Sequence, residues 1–269
     1  MPFHETSEFP TVEGLEVEAI RVSPTNVLLP SRHTRTPQVE HLQAQFERFV
    51  ASNAQLRATL RELDVLGATY YAYGGWVRDN LTSSTFGNEA ITAKDIDLVV
   101  ENISGTQLGQ VINPPYRMTI FGGYACDNGA WPFDVWALSD TFLIRRLGLS
   151  ANLDTLLRVT DFNINSAIFS PATARSSPSL IDGGCLTALK LRTIDFQCEV
   201  VPFPVLQAAR LLIYGTKLKF QFSDRISRFI RKVAGVPENH LSIEQGIRSH
   251  APHHARSALL LLRQMKAAQ

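Results

Sequence analysis

Two aspartates separated by one residue, Asp95-Ile96-Asp97, are the strongest chemical signal in the chain. Side chains alternate along a strand, so Asp95 and Asp97 share one face while Ile96, Leu98 and Val100 share the other. The aliphatic face anchors the strand in a core, and the acidic face presents two like charges at close range. Such charges oppose each other's ionisation unless a cation neutralises them. Hard oxygen ligands beside a phosphate site point to magnesium. The same tripeptide also occurs on solvated strands, so its meaning depends on its surroundings.

Two further pieces supply those surroundings. Tyr73-Gly74-Gly75-Trp76-Val77-Arg78-Asp79 sets two glycines between a predicted strand and the start of a predicted helix. Backbone N–H groups at such a turn can hold phosphate, and glycine permits close approach. Arg78 suits either a charge-assisted phosphate contact or a structural pair with a carboxylate. Phe133-Asp134-Val135-Trp136-Ala137-Leu138 places one acid in an otherwise apolar strand, which is costly if the carboxylate is buried alone. Either Asp134 lies at an edge facing water, or a neighbouring strand brings it beside Asp95 and Asp97 as a third carboxylate. In the second case two metal ions can clamp the attacking hydroxyl and the leaving phosphate oxygen of a transfer reaction.

Strands are predicted at residues 68–73, 94–100, 116–125, 132–138 and 162–169, with a turn near Gly183-Gly184. Residues 1–35, which hold Pro10, Pro24 and Pro30, read as an extended arm. A long amphipathic helix is predicted over residues 37–66, with Thr36 as N-cap and Pro37 in its first turn. Val39, Leu42, Phe46, Phe49, Leu56, Leu60 and Leu63 form its apolar stripe, interrupted only by Asn53. That stripe either packs on its own domain or forms the seam of an oligomer with Asn53 at a polar core position. After Pro204 the period is helical, through Leu206, Ala209 and Ile213, then Ile226, Phe229, Ile230 and Val233, with a last helix near 257–266. Strands and helices in separate blocks specify an α+β class. The division is 1–66 arm and helix, 67–198 α+β head, and 199–269 helical basic domain.

Composition sets outer limits. A 45% hydrophobic and 19% charged chain excludes a disordered one. The longest aliphatic run, residues 258–262, is far below the roughly 20 residues of a membrane-spanning helix. The N-terminus lacks the basic-then-apolar order of a signal peptide. Cys126, Cys185 and Cys198 have neither zinc-site nor scaffold spacing, so a reducing cytoplasm is the expected setting and the thiols read as structural. His250, His253 and His254 flank Pro252 and read as a solvated turn. Residues 1–200 carry 15 Lys and Arg against 22 Asp and Glu, whereas residues 201–269 carry 11 against 3. The basic C-terminal third suits a polyanion or, more simply, a set of solvated helices.

Gly74-Gly75-x-Val77-Arg78-Asp79 followed by Asp95-x-Asp97-Leu98 resembles the head-domain motif of the polymerase-β-type nucleotidyltransferases. Within them it is similar to the bacterial tRNA CCA-adding enzyme and poly(A) polymerase family. Asp161-Phe162-Asn163-Ile164-Asn165 resembles that family's D-F-T-I-N-A segment, and Leu180-Ile181-Asp182-Gly183-Gly184 its L-I-D-P-x-x-G segment. The likeness runs from about Tyr70 to about Phe220.

The resemblance implies a nucleotidyltransferase-like head with a mixed sheet flanked by helices, followed by a short helical neck. It implies transfer of a nucleoside monophosphate from an NTP such as ATP to a hydroxyl, with two magnesium ions and release of pyrophosphate. The implied acceptor is an RNA 3′ end, with tRNA among the candidates. Asp95 and Asp97 are then the ligands of both metals, and Asp134 completes the catalytic set near the attacking hydroxyl. Gly74 and Gly75 cradle the triphosphate, Arg78 and Asp79 line the nucleotide site, and Asp161 and Asn165 support it.

Three departures accompany the likeness. The segment between Asp79 and Asp95 is long, which predicts a protruding loop over residues 82–93. The family's double arginine before D-F is replaced by Val159-Thr160, with Arg158 displaced by one position. The base-reading E-D-x-x-R of the neck aligns with Val200-Val201-Pro202-Phe203-Pro204, which keeps none of its side chains, although Arg210 matches a later arginine. A nucleotide- or RNA-binding module without transfer, or transfer to a small-molecule or protein hydroxyl, is the alternative function.

Overall fold

The computed structural model describes residues 19–22, 30–86, 93, 95–127 and 131–267. These form two units, one from residues 30–160 and 164–186, the other from residues 19–22, 161–163 and 187–267. The short strand β1 (Ala19–Arg21) belongs to the second unit. The first unit opens with β2 (Ser31–His33), α1 (Pro37–Ser52) and α2 (Ala54–Val65). It continues through β3 (Thr69–Tyr73), α3 (Gly75–Phe86), β4 (Ile96–Glu101) and α4 (Gly105–Val111). Then come β5 (Arg117–Met118), β6 (Tyr124–Cys126), β7 (Phe133–Ala137), α5 (Phe142–Arg146) and α6 (Leu153–Arg158). β8 (Ala167–Ser170) and β9 (Ser179–Asp182) complete it, and the chain passes to the second unit along α7 (Cys185–Leu191).

The eight strands β2 to β9 make one mixed sheet in the order β2-β9-β8-β3-β4-β7-β6-β5. Only the β4–β7 neighbours run parallel. A parallel pair cannot be joined by a tight hairpin, and the connection from β4 to β7 carries α4 and the β5–β6 hairpin. Ile96, Leu98 and Val100 of β4 are fully buried, as their alternation predicts. Phe46 of α1 packs edge-on against Trp76 of α3 and also meets Phe169 of β8, while Phe49 meets Trp131. The apolar stripe of residues 39–63 is thus buried within its own unit.

Local chemistry alters several predicted boundaries. The single helix of residues 37–66 is two helices, because Asn53 leaves helical geometry and its side-chain oxygen accepts from the Leu56 N–H at 2.9 Å, capping α2. Its amide also donates to the Trp131 carbonyl at 2.6 Å, so a polar residue in the stripe is buried and satisfied. The strand predicted at 116–125 is the hairpin β5–β6, turning through Gly122 at φ +90° and Gly123. Asn163–Asn165 is a 3-10 turn, so strand β8 starts only at Ala167. Ser31–His33 of the predicted arm is an edge strand paired with β9. The rest of that arm, apart from residues 19–22 and 30–35, lies outside the described residues, as do residues 87–92 of the predicted loop; residues 82–86 of that loop belong to α3.

The second unit adds β10 (Thr193–Ile194), β11 (Val200–Pro202), α8 (Pro204–Leu218), β12 (Gln221–Phe222), α9 (Asp224–Ala234), α10 (Pro237–His250) and α11 (Ala255–Ala267). Its core contains Phe162, whose ring lies near those of Phe196 and Tyr214, and Phe229 edge-on to Phe196. Ser223 caps α9, and Ile226, Phe229, Ile230 and Val233 form the buried face that their spacing predicts. The three cysteines are free and buried, and His253 sits exposed in the turn between α10 and α11. Among the described residues, no helix is long and apolar enough to cross a membrane.

Candidate functional site

The strand order brings together acids that are 37 positions apart in sequence. β4 and β7 pair in a register that sets Asp97 directly beside Asp134. Residues paired across neighbouring strands share a face and lie about 5 Å apart at Cα. On the far side of Asp97 stands Tyr73, and on the far side of Asp134 stand Ala125 and then Arg117. One row across the sheet thus reads Tyr73, Asp97, Asp134, Ala125, Arg117. The Tyr73 hydroxyl shares a hydrogen bond of 2.8 Å with that of Thr160, and its ring stands edge-on to Trp136 at 6.1 Å.

Asp95 precedes β4 by one residue and is exposed, so the strand begins later than predicted. It still acts on its neighbour. Burial, and secondarily the Asp95 charge, push the Asp134 carboxyl up to about 6, with Arg117 pulling in the opposite direction. Among the described residues, no three His, Cys, Asp or Glu side chains close into a group able to hold a metal ion. The adjacent carboxylates of Asp97 and Asp134 nevertheless fit a hard divalent cation by donor type, and the burial that raises Asp134 is the kind of cost a bound cation offsets.

The glycine turn sits at the end of β3, next to this row. Gly74 adopts φ +65°, a conformation that favours glycine, and donates its N–H to the Ala167 carbonyl at 3.2 Å. Gly75 opens α3, whose first N–H groups have no partner within the helix. An anion at this turn would therefore be met by the N–H groups from Gly75 onward rather than by that of Gly74. Arg78 and Asp79 point inward and are each 3% exposed. Arg78 donates through Nε and Nη2 to Asp79 Oδ1, both at 2.8 Å, and through Nη1 to Asn165 Oδ1 at 2.5 Å. The three residues form a buried cluster that fixes the start of α3 against the segment before β8.

Arg158 ends α6 with an exposed side chain that reaches Thr155 Oγ1 at 3.5 Å. Asp161 and Arg210 belong to the second unit and pair with each other at 2.7 Å. Arg210 also donates to the Tyr214 hydroxyl at 3.0 Å. In that unit Val200–Pro202 pairs with β1, and Phe203, at φ +54°, leads into α8. Sequence reasoning passed over Tyr73 and Arg117. Tyr73 directly precedes the glycine turn and was open to notice, whereas only the strand order reveals Arg117.

No family model matches the sequence. No curated protein matches it either. Solved structures do. A CCA-adding enzyme in complex with ATP superposes with a TM-score of 0.55 at 16% identity, covering 86% of this chain and 54% of that one. A Thermotoga maritima CCA-adding enzyme complexed with tRNA gives a TM-score of 0.54 at 16% identity over the same shares. A tRNA nucleotidyltransferase complexed with a primer tRNA and an incoming ATP analogue gives 0.53 at 21% identity, over 78% of this chain and 60% of that one. The chain spans little more than half the length of these structures. It has their nucleotidyltransferase fold, with the α+β head and mixed sheet that the motifs imply.

Proposed function

We propose that the chain is a metal-dependent nucleotidyltransferase that moves a nucleoside monophosphate from an NTP to a hydroxyl at an RNA 3′ end. The observation that carries this reading is the register of Asp97 beside Asp134, next to the strand that ends in the Gly74-Gly75 turn. In the reaction the acceptor oxygen attacks the α-phosphorus, the bond from that phosphorus to the bridging oxygen breaks, and pyrophosphate leaves. Magnesium, when bound, neutralises phosphate charge and lowers the pKa of the attacking hydroxyl. Asp95, Asp97 and Asp134 would hold it, with Asp134 toward the acceptor hydroxyl. The N–H groups from Gly75 onward receive the triphosphate at the other side.

Arg78, Asp79 and Asn165 act by holding that turn in place, since their polar groups face one another. Arg210 and Asp161 are assigned to the nucleotide on the strength of the motif likeness, and Arg158 to its phosphates. Nucleotide choice does not rest on an acid and arginine at residues 200–204, because those side chains are Val, Val, Pro, Phe and Pro. Exposed Arg228, Lys232, Arg248, Arg256, Arg263 and Lys266 supply a surface for the RNA backbone.

The test is incubation with magnesium, each labelled NTP in turn and total cellular RNA, beside the Asp95→Ala/Asp97→Ala double variant. Label entering RNA with the unaltered protein alone supports the reading. Equal labelling by both proteins, or labelling by neither, overturns it.

A further inference from the structure

The row of side chains that holds Asp97 and Asp134 does not end at the carboxylates. Ala125 is opposite Asp134, and Arg117 is opposite Ala125, so Arg117 lies on the same face two strands beyond Asp134. Two strand spacings are about 10 Å, a distance an extended arginine largely covers. Arg117 is exposed, and among the described residues its guanidinium makes no ion pair. Elsewhere in the row the Tyr73 hydroxyl is bonded to that of Thr160, and the two acids lie side by side. Arg117 acts on Asp134 only through space, easing its charge without an ion pair, and its exposed fork of donors suits a phosphate.

Its side of the row decides which phosphate. The glycine turn that would take the triphosphate adjoins Tyr73, at the opposite end. Resting on the proposed function, we propose that Arg117 grips the phosphodiester backbone of the incoming acceptor strand, one linkage back from its 3′ hydroxyl. The acceptor class is thereby a single-stranded nucleic-acid end, since a small-molecule or protein hydroxyl carries no flanking phosphodiester for this guanidinium to meet. Phe121 is exposed at the turn of the same hairpin, where an aromatic ring can support an unpaired base.

The test compares the full chain with Arg117→Ala and Arg117→Lys. Binding of a fluorescent single-stranded RNA with a free 3′ hydroxyl is measured without NTP, across a salt series. Transfer kinetics are measured with the same RNA. Arg117→Ala should weaken RNA binding by about 3- to 10-fold and reduce the slope of log affinity against log salt by about one, the signature of one lost phosphate contact. It should raise the acceptor KM and leave the NTP KM unchanged, with Arg117→Lys recovering most of the slope. An unchanged salt slope and acceptor KM overturn the assignment while transfer by the unaltered chain keeps the broader reading intact. A rise in the NTP KM instead places Arg117 on the nucleotide and also overturns it. If the unaltered chain transfers nothing but the slope still falls by one, transfer fails and the backbone contact stands.

Discussion

Asp134→Asn should stabilise the metal-free protein, and by a margin that depends on pH in a defined way. Burial and Asp95 lift this carboxyl from its ordinary 3.8 to about 6. At about 1.4 kcal/mol per unit, holding the group ionised costs the folded state about 3 kcal/mol once the solution is well above pH 6. Between about pH 4 and 6 the folded chain retains a proton that the unfolded chain has released. Stability of the unaltered protein should therefore fall as pH rises through that window and level off above it. Asparagine has nearly the same shape and cannot ionise, so it removes the cost. The gain should be full at pH 8, about half at pH 5, and gone near pH 3.5.

All three tryptophans, Trp76, Trp131 and Trp136, lie in the sheet unit, so urea unfolding followed by their fluorescence reports the relevant transition. With chelator present, the midpoint of Asp134→Asn should exceed that of the unaltered chain by about 1 M urea or more at pH 8. Millimolar magnesium should then raise the unaltered protein toward the variant while leaving the variant nearly unmoved. Equal midpoints at pH 8, or a gap that does not shrink with acid, would refute the account of Asp134 as a buried charge awaiting a cation.

Three other substitutions probe separate features. Asn53→Ala removes both the α2 cap and the bond to the Trp131 carbonyl and should cost about 2–3 kcal/mol in the same unfolding assay. Gly74→Ala places a Cβ in open space but on backbone at φ +65°, so it should cost only about 1 kcal/mol. Its effect on NTP binding, read by calorimetry, should be modest because the Gly74 N–H is already bonded to Ala167. Arg210→Ala breaks the pair with Asp161, yet with Arg210 36% exposed the loss in thermal or urea stability should stay below about 1 kcal/mol. A larger loss would mean that the pair anchors the second unit.

Features of short range were legible in the residues themselves. The Asp-Ile-Asp alternation gave the buried aliphatic face of β4, and the glycine pair marked the strand-to-helix turn. The acid at 134 stood out within an apolar strand, and the register sets it beside Asp97. Which neighbour, and in what register, depends on pairing between strands far apart in sequence, and no local pattern carries that. Arg117 escaped for the same reason, compounded by reading a hairpin as one strand across its glycines. Asn53 was visible as a break in the stripe, and its cap on the Leu56 N–H is local, but the bond that satisfies its buried amide required the position of Trp131. Arg78 and Asp79 looked alike as ligands or as a pair until their burial and the approach of Asn165 were known.

The pairing of β2 with β9 has a consequence for how the chain is made. Ser31 lies opposite Asp182, so the outermost strand on that side must wait about 150 residues for its partner. At about 5–20 residues per second, a ribosome takes roughly 8–30 s to supply it. Through that interval β3, already flanked by β4, still offers its other edge, since β8 is also unmade. A nascent chain in this state exposes a hydrogen-bonding edge beside the apolar face that α1 must cover, the condition under which chains pair with one another. Truncations that end before residue 182 should thus be recovered as aggregates, whereas those ending just beyond it should yield a soluble sheet.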